Sequence, residues 1–332
     1  MSAMEEGYKP PFEITDAIAN LTLEICQLIR QFQATNALSK NPKLRKKNRI
    51  KSIYSSLSIE HNSLTENQVT AVINGIRVIA PQRDILEVQN ACSAYEGLPK
   101  LTPYNISDLL QTHSLMMRGL SQDAGYFRAR GVGVYKGSEL IHMGTRPEYV
   151  PSLMQQLISW TQHTKLHPLI KSCIFHYEFE YIHPFSDGNG RMGRLWHTLI
   201  LSKWEPLFAW LPIESLIYER QKDYYKALAV SDNEGKSTKF IEFMLTVIRD
   251  VLKKNVGINS AEEGKIKKLN QERLLDYLEK NPKASAAKMA LELGLSSRQV
   301  ERILASLKKE GYLQREGSNK TGIWKPTKPK EA

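Results

Sequence analysis

Two apolar helical patterns meet at residues 183–194, which read His-Pro-Phe-Ser-Asp-Gly-Asn-Gly-Arg-Met-Gly-Arg. The apolar positions of the first pattern are Ile174, Phe175, Phe179 and Ile182. Pro184 can end that helix, because a residue that precedes proline disfavours the helical conformation. The glycines that follow permit positive φ and a close backbone approach, and a second helix is predicted to begin near Arg191. The segment therefore predicts two apolar helices joined by a short glycine-rich loop.

The residue types in this loop point to phosphate chemistry. A glycine-rich loop at a helix N-terminus aims several backbone N–H groups at one point, which is an anion site. Arg191 and Arg194 are three residues apart, share a helix face and can both reach a polyphosphate. Asp187 is a hard oxygen ligand suited to phosphate-bound Mg²⁺, and His183 is a base that works near neutral pH. Together these residues predict nucleotidyl or phosphoryl transfer.

The rest of the first 250 residues is mainly helical in pattern. Apolar residues recur at helical spacing, with an interruption at Pro81, over residues 15–35, 68–97, 105–120, 151–163, 169–182, 193–204, 223–229 and 239–252. Glycines alternate with β-forming residues over 125–150, which predicts a short hairpin among the helices. The fold class is therefore predicted to be mainly α.

Composition limits the class of protein. Apolar residues make up 41% and charged residues 24% of the 332 positions, as in ordinary globular chains. No stretch approaches the roughly 20 apolar residues of a membrane span, and the acidic N-terminus does not resemble a secretory signal. The cysteines are three, far apart and never in a CxxC pattern. These features predict a soluble cytoplasmic protein with no membrane partner.

The net charge of +11 is concentrated in two segments. Residues 40–51 contain seven bases and no acid, and residues 262–332 contain 16 bases and 10 acids. Such local charge favours contact with a polyanion at these segments, although a run of charge is also typical of a solvated face.

The last seventy residues have a pattern of their own. Three short helical segments, the third opened by a Ser296–Gln299 capping box, precede two β-forming segments around a polar turn. This order resembles a winged helix-turn-helix over residues 268–328. In a DNA-binding version the contacts are expected from Ser297, Arg298, Arg302, Arg315 and Lys320. A protein-interaction role is the alternative for such a domain.

Residues 183–194 match all ten fixed positions of HPFxDGNGRxGR, the signature of Fic-domain proteins. Gly125-Tyr126-Phe127-Arg128 and the pair Tyr224-Tyr225 resemble further family features, so that the resemblance extends over about residues 10–250. It implies a helical Fic core with a β-hairpin flap. The expected layout is an N-terminal helical region (1–100), the Fic core (101–252), a linker (253–267) and the winged helix-turn-helix (268–332).

The family resemblance implies transfer of AMP from ATP to a Tyr, Ser or Thr hydroxyl of a target protein. His183 would deprotonate the hydroxyl, Asp187 would hold Mg²⁺, and Arg191 and Arg194 would bind the β- and γ-phosphates. The hairpin flap is similar to one that clamps the target segment by strand addition. The remaining nucleotide contacts expected from the resemblance are Gly188, Asn189, Gly190, Met192, Gly193, Gly137, Ser138, Tyr225 and Asn233.

Upstream of the core, Ser56-Leu57-Ser58-Ile59-Glu60-His61 resembles the inhibitory motif (S/T)xxxE(G/N) of many Fic proteins. The resemblance implies that Glu60 binds Arg194 and blocks the γ-phosphate site, with Ser56 as the first motif position. The chain departs from the pattern at His61, where Gly or Asn is expected.

Several alternatives remain at this stage. Fic-like proteins also include phosphoryl transferases, phosphocholine transferases and enzymes that remove AMP, and a regulatory glutamate such as Glu60 can position water for AMP removal. The chain could instead be a DNA-binding regulator whose Fic core modifies itself. His176, Glu180 and His183 share a helical face and could mimic a metal site, but a packed role for His176 is favoured. Homodimerisation is compatible with the sequence, which does not establish it.

Overall fold

The structure is a computed structural model that describes residues 8–35, 41–136, 139–317 and 322–327. The chain separates into two compact units, Met1–Val256 and Gly257–Ala332. Within the described ranges, no helix combines the length and the apolar character that crossing a bilayer requires.

The first unit is built from helices and one hairpin. Its helices are α1 (Asp16–Thr35), α2 (Pro42–Ile59), α3 (Glu66–Ile73), α4 (Gln82–Gly97), α5 (Ile106–Met116), α6 (Val150–His163), α7 (Pro168–Ile182), α8 (Asn189–Trp204), α9 (Ile213–Glu219) and α10 (Gln221–Glu234). Helix α11 (Thr238–Lys280) follows, and the predicted linker at 253–267 lies inside its bounds. The four-part layout of the sequence analysis stays a prediction.

Helix α7 lies at the centre of the first unit. Twelve of its fifteen residues are buried, including the polar Lys171, His176 and Glu178, so the helix is packed on every side. Its residues Cys173 and Ile174 pack in one core cluster with α1 and the first part of α11. Phe175 and Phe179 pack in a second cluster with residues of α2, α4, α6 and α8. The loop that follows α7 is therefore supported by apolar packing around the whole helix.

A hairpin of two antiparallel strands, β1 (Gly133–Lys136) and β2 (Glu139–Met143), interrupts the helices where the glycine pattern predicted it. Gly133 pairs with Met143 and Lys136 with Glu139, with a register shift after Val134. The mainly helical fold with a small antiparallel sheet is confirmed.

The second unit contains α12 (Ala286–Leu293), α13 (Ser297–Lys309) and the antiparallel strands β3 (Leu313–Glu316) and β4 (Ile323–Pro326). Ser296 accepts from the Gln299 backbone N–H while Gln299 reaches back to the Ser296 backbone, so the predicted capping box is present. The buried core of this unit consists of Leu274, Leu278, Met289, Ala290, Val300, Leu304, Leu307, Leu313 and Trp324. The winged helix-turn-helix fold is confirmed.

Candidate active site

His183 ends helix α7 in the left-handed conformation, with φ 52° and ψ 63°. Few residues with a side chain adopt positive φ, so this backbone is held by its surroundings. The His183 backbone N–H donates to the Phe179 carbonyl at 3.0 Å, and Nδ1 lies 3.3 Å from the Glu180 carbonyl oxygen. A carbonyl can only accept, so Nδ1 carries the proton of the neutral ring and Nε2 carries the lone pair.

Arg128 fixes the backbone around His183. Its guanidinium is 2% exposed and donates to the carbonyl of His183 at 2.6 Å and to that of Ile182 at 3.2 Å. It also donates to the carbonyls of Arg130, at 2.9 Å, and Thr145. One buried cation thus satisfies four carbonyl groups, including the orphan C=O groups at the end of α7. No role for Arg128 was predicted from the sequence, where the residue is only part of a segment that resembles a family feature.

The loop after His183 is closed by Asn189. The Phe185 backbone N–H donates to Asn189 Oδ1 at 2.9 Å, and Asn189 Nδ2 donates to the Phe185 carbonyl at 2.8 Å. The side-chain amide of Asn189, one of the expected nucleotide contacts, is therefore used inside the loop. Gly188, at φ 86°, caps helix α8, and a Cβ there would lie 2.7 Å from Met117 Sδ.

His113 of helix α5 supports the loop through ring stacking and hydrogen bonds. Its ring stacks on Phe185 with centroids 3.6 Å apart, its Nδ1 accepts from the Gly125 N–H at 2.9 Å, and its Nε2 lies 3.0 Å from the Asp187 carbonyl oxygen. Both ring nitrogens are used by the neutral form, and burial lowers the pKa of His113. No role for His113 was predicted from the sequence, because its partners are distant from it along the chain.

Asp187 faces a set of charged groups. Its Oδ1 accepts from the Gly188 N–H at 2.6 Å and from Arg191 at 2.8 Å, while its Oδ2 lies 3.6 Å from Arg83. The side chain is 44% exposed, and Mg²⁺ commonly uses one carboxylate together with substrate phosphates. Asp187 therefore fits a metal that is held mainly by nucleotide phosphates. No cluster of three or more His, Cys, Asp or Glu suited to a metal occurs among the described residues.

Arg191 has the properties of a phosphate ligand. It is 3% exposed, and its partners are Asp187 and, at 3.7 Å, Glu87 of α4. Its Nε is buried without a hydrogen-bond partner. A buried donor that lacks a partner is costly, and an anion at this position would satisfy it.

Arg194 meets the predicted inhibitory motif. The guanidinium is 2% exposed and donates to Glu60 Oε1 at 2.7 Å. It also donates to the hydroxyl of Ser56 at 3.1 Å and to the Ser56 carbonyl at 3.0 Å. Burial alone would lower the pKa of Arg194, but the charge and hydrogen bond of Glu60, with the nearby Tyr224 and Glu180, together outweigh burial and raise that pKa.

The Glu60 carboxylate lies over the first turn of helix α8. A Cβ on Gly190 would collide with Glu60 Oε1 and would lie 2.9 Å from Arg194 Nη1. A carboxylate at a helix N-terminus is in the position that favours an anion, which is where the sequence predicted phosphate binding.

Glu60 and His61 form the C-terminal turn of helix α2. The His61 N–H donates to the Ser58 carbonyl, and the Asn62 N–H donates to the Leu57 carbonyl, which is a Schellman pattern. His61 has φ 65° and is exposed. The motif position that usually holds Gly or Asn is thus a left-handed one, which explains the residue preference that this chain departs from.

The other predicted nucleotide contacts have varied positions. Tyr225 is 46% exposed on α10, and burial followed by the Glu60 charge raises the pKa of its phenol. Asn233 is exposed eight residues further along the same helix. Met192 is fully buried in the core, while a Cβ on Gly193 would face Glu180 and His176 of α7. Gly137 and Ser138 lie outside the described residues. The nucleotide contacts stay predictions.

His176 is a packed residue, as the sequence analysis favoured. It is fully buried, its Nε2 lies 3.1 Å from the Tyr224 hydroxyl, and burial lowers its pKa to about 3.

In the second unit, Ser297, Arg298 and Arg302 are exposed on α13. Arg315 is half-buried and stacks over the Trp324 ring at 4.6 Å. Lys320 lies outside the described residues.

Comparison with known proteins agrees with this geometry. Residues 103–201 match the Fic/DOC family, and residues 268–314 match a winged helix-turn-helix DNA-binding family. A crystal structure of a Fic family protein from Desulfovibrio desulfuricans G20 is 40% identical, covering 98% of this chain and 100% of that one, with a TM-score of 0.74. The chain belongs to the Fic family. In this Fic protein the segment that contains the signature matches one known family, and the C-terminal domain matches another.

Two curated relatives are named protein adenylyltransferase Fic. The one from Nematostella vectensis is 27% identical over 206 residues, which is 58% of this chain and 45% of that protein. The one from Drosophila grimshawi is 29% identical over 203 residues, which is 58% of this chain and 40% of that protein. This Fic protein therefore spans less than half the length of these relatives.

Proposed function

We propose that this Fic protein is a protein adenylyltransferase that transfers AMP from ATP to a Tyr, Ser or Thr hydroxyl of a target protein. The observation that carries the proposal is the arrangement of Asp187, Arg191 and Arg194 around the first two turns of helix α8, with His183 at the end of α7, where the chain enters the same loop. The names of the curated relatives support the same activity.

In the proposed reaction His183 Nε2 accepts the proton of the target hydroxyl, since Nδ1–H is directed to the Glu180 carbonyl. The hydroxyl oxygen then bonds to the α-phosphorus, and the bond between that phosphorus and the pyrophosphate oxygen breaks. Arg191 and Arg194 bind the β- and γ-phosphates and stabilise the leaving pyrophosphate. Asp187 would hold Mg²⁺, which when bound neutralises phosphate charge.

We further propose that Glu60 holds the enzyme in an inhibited state. Its carboxylate neutralises Arg194 at 2.7 Å and lies beside Gly190, so a γ-phosphate would meet an occupied cation and a like charge. Ser56 supports the block by accepting from the same guanidinium.

The test is the intact mass of the protein after incubation with ATP and Mg²⁺. Wild type is compared with Glu60→Gly, the double variant Glu60→Gly/His183→Ala and the control Glu66→Gly, which places the same substitution on α3. An AMP-sized adduct on Glu60→Gly that is absent from the other three proteins is expected.

The remaining outcomes separate the alternatives. A phosphate-sized adduct would indicate kinase chemistry. Equal AMP adducts on wild type and Glu60→Gly would refute inhibition by Glu60 while keeping the transferase. If no variant acquires AMP, incubation with an AMP-modified protein tests the opposite reaction, and release of AMP that requires Glu60 would replace the transferase proposal.

A second candidate function concerns the C-terminal unit. Its match to a DNA-binding family and the exposure of Ser297, Arg298 and Arg302 on helix α13 support DNA contact through this helix. Retention of DNA by the full chain with His183→Ala, and its weakening by Arg298→Gln/Arg302→Gln, are the expected results.

A further inference from the structure

Helix α2, which ends in the inhibitory turn, begins with an unusual charge distribution. Its 18 residues contain six bases and no acid, and all six bases lie in the first ten positions. Bases near a helix N-terminus face the positive end of the helix dipole, and like charges four residues apart repel each other. The positions of these bases therefore destabilise the helix locally.

Three of the six bases have partners in the first unit. Arg45 and Arg49 lie over the Trp210 ring at 5.2 and 4.9 Å, and Lys46 Nζ donates to Asn74 Oδ1 at 2.6 Å. These partners are an aromatic ring and an uncharged amide, so neither carries a negative charge that would neutralise a base, and Glu214 and Glu96 act on Arg49 only through longer-range attraction. Among the residues that the structure describes, none of the six bases forms an ion pair with a carboxylate.

The other three bases, Lys43, Lys47 and Lys51, form what is here called the lysine stripe. They are spaced four residues apart and so lie along one face of α2, over about 12 Å at 1.5 Å per residue. Lys43 and Lys47 are exposed and Lys51 is half-exposed, whereas Asn48 and Ile50 between them, and Ser52 directly after them, are buried. The stripe is therefore the solvent face of a helix whose other faces are packed.

We propose that the lysine stripe binds the phosphate backbone of double-stranded DNA. Outside residues 40–51 and 262–332 the chain has 23 bases and 25 acids, so its positive charge is confined to this helix region and to the domain that matches a DNA-binding family. Lysine ammonium groups donate hydrogen bonds and accept none, so a row of lysines suits phosphate oxygens. Contacts to the phosphate backbone do not depend on the DNA sequence. The surface is separate in sequence from the residues proposed for α13 and from the transferase site.

The test measures DNA affinity of the full chain as a function of salt. Fluorescence anisotropy with a labelled 30-base-pair duplex of arbitrary sequence gives the slope of log K against log salt concentration. Each phosphate contact contributes about 0.9 to the slope on duplex DNA, so Lys43→Gln/Lys47→Gln/Lys51→Gln is expected to reduce its magnitude by about 2.7.

A matched control removes the same charge elsewhere in the first unit. Lys100→Gln/Lys165→Gln/Lys222→Gln changes three exposed lysines on separate elements and should leave the slope within 1 of the wild-type value. An Arg298→Gln/Arg302→Gln variant tests the α13 contact independently. Thermal melting confirms that each variant is folded.

Three results would overturn the proposal. The first is an equal loss of slope in the stripe and control variants, which indicates an effect of net charge alone. The second is the absence of any contribution from the stripe, seen either as a stripe variant that keeps the wild-type slope or as a wild-type chain that does not bind the duplex at 50 mM salt. The third is a wild-type chain that binds poly-glutamate more tightly than the duplex through the same lysines, which would assign the surface to an acidic protein partner.

Discussion

The turn that follows Glu60 supplies a prediction whose magnitude is set by one dihedral angle. His61 has φ 65°, and its exposed side chain closes the Schellman turn that follows Glu60. A left-handed conformation costs a residue with a side chain roughly 1–2 kcal/mol. Glycine avoids this cost but loses about 0.4–1 kcal/mol through the greater entropy of the unfolded chain. His61→Gly is therefore expected to stabilise the first unit by about 0.5–1 kcal/mol.

For a unit of this size the gain corresponds to a rise in Tm of about 1–4 °C, which differential scanning calorimetry can measure. The control is Thr164→Gly, at the C-terminal end of helix α6, where φ is −61° and glycine gains nothing. That variant should melt at a lower temperature than wild type. A fall in Tm for His61→Gly comparable to that of Thr164→Gly would refute the argument from φ. It would show that the imidazole makes a contribution larger than the cost of its backbone.

Two further predictions concern buried groups. Arg128→Lys keeps the charge but cannot reach all four carbonyls, so we expect lower stability, by about 2 kcal/mol, and slower AMP transfer in the Glu60→Gly background; unchanged melting and rate would contradict the support role. Burial lowers the pKa of His176 and of His197 to about 3, while unfolded histidine titrates near 6.5. The unfolded chain therefore binds more protons between these values, so stability is full above about pH 6.5 and falls below it, by about 2 kcal/mol per histidine at pH 5. Melting curves from pH 7 to pH 5 check this, and a flat profile would exclude burial of neutral rings.

Much of the fold follows from local pattern. The apolar stripes located most helices of the first unit, and the glycine pattern located the hairpin. Helix α2 was harder to predict, because its basic first half resembles a solvent-exposed run of charge. Its apolar positions become regular only from Ile50 onward. Helix α9, with seven residues, lies between a short 3₁₀ segment and α10 and has too few turns for a periodic signal.

The candidate site also contains residues that could be predicted from the sequence and residues that could not. The loop at residues 183–194 is contiguous in sequence, so its residue types were informative without any structure. The groups that support that loop come from other elements. Glu87 on α4 contacts Arg191, His113 on α5 contacts Asp187, and Arg128 in the segment before β1 contacts His183. Such contacts depend on tertiary packing, and one sequence has no periodicity or spacing that reveals them. The pairing of Glu60 with Arg194 was available only through the family resemblance.

The distance in sequence between Glu60 and Arg194, 134 residues, has a consequence for the control of the proposed enzyme. Both residues belong to one folded unit, so the contact is intramolecular and the local concentration of the carboxylate is set by geometry. Neither dilution nor a change in the amount of protein alters the occupancy of such a contact. Release of the block that we propose therefore needs a ligand or a structural change that acts on each molecule, and the enzyme would be silent at any level of expression until that event occurs.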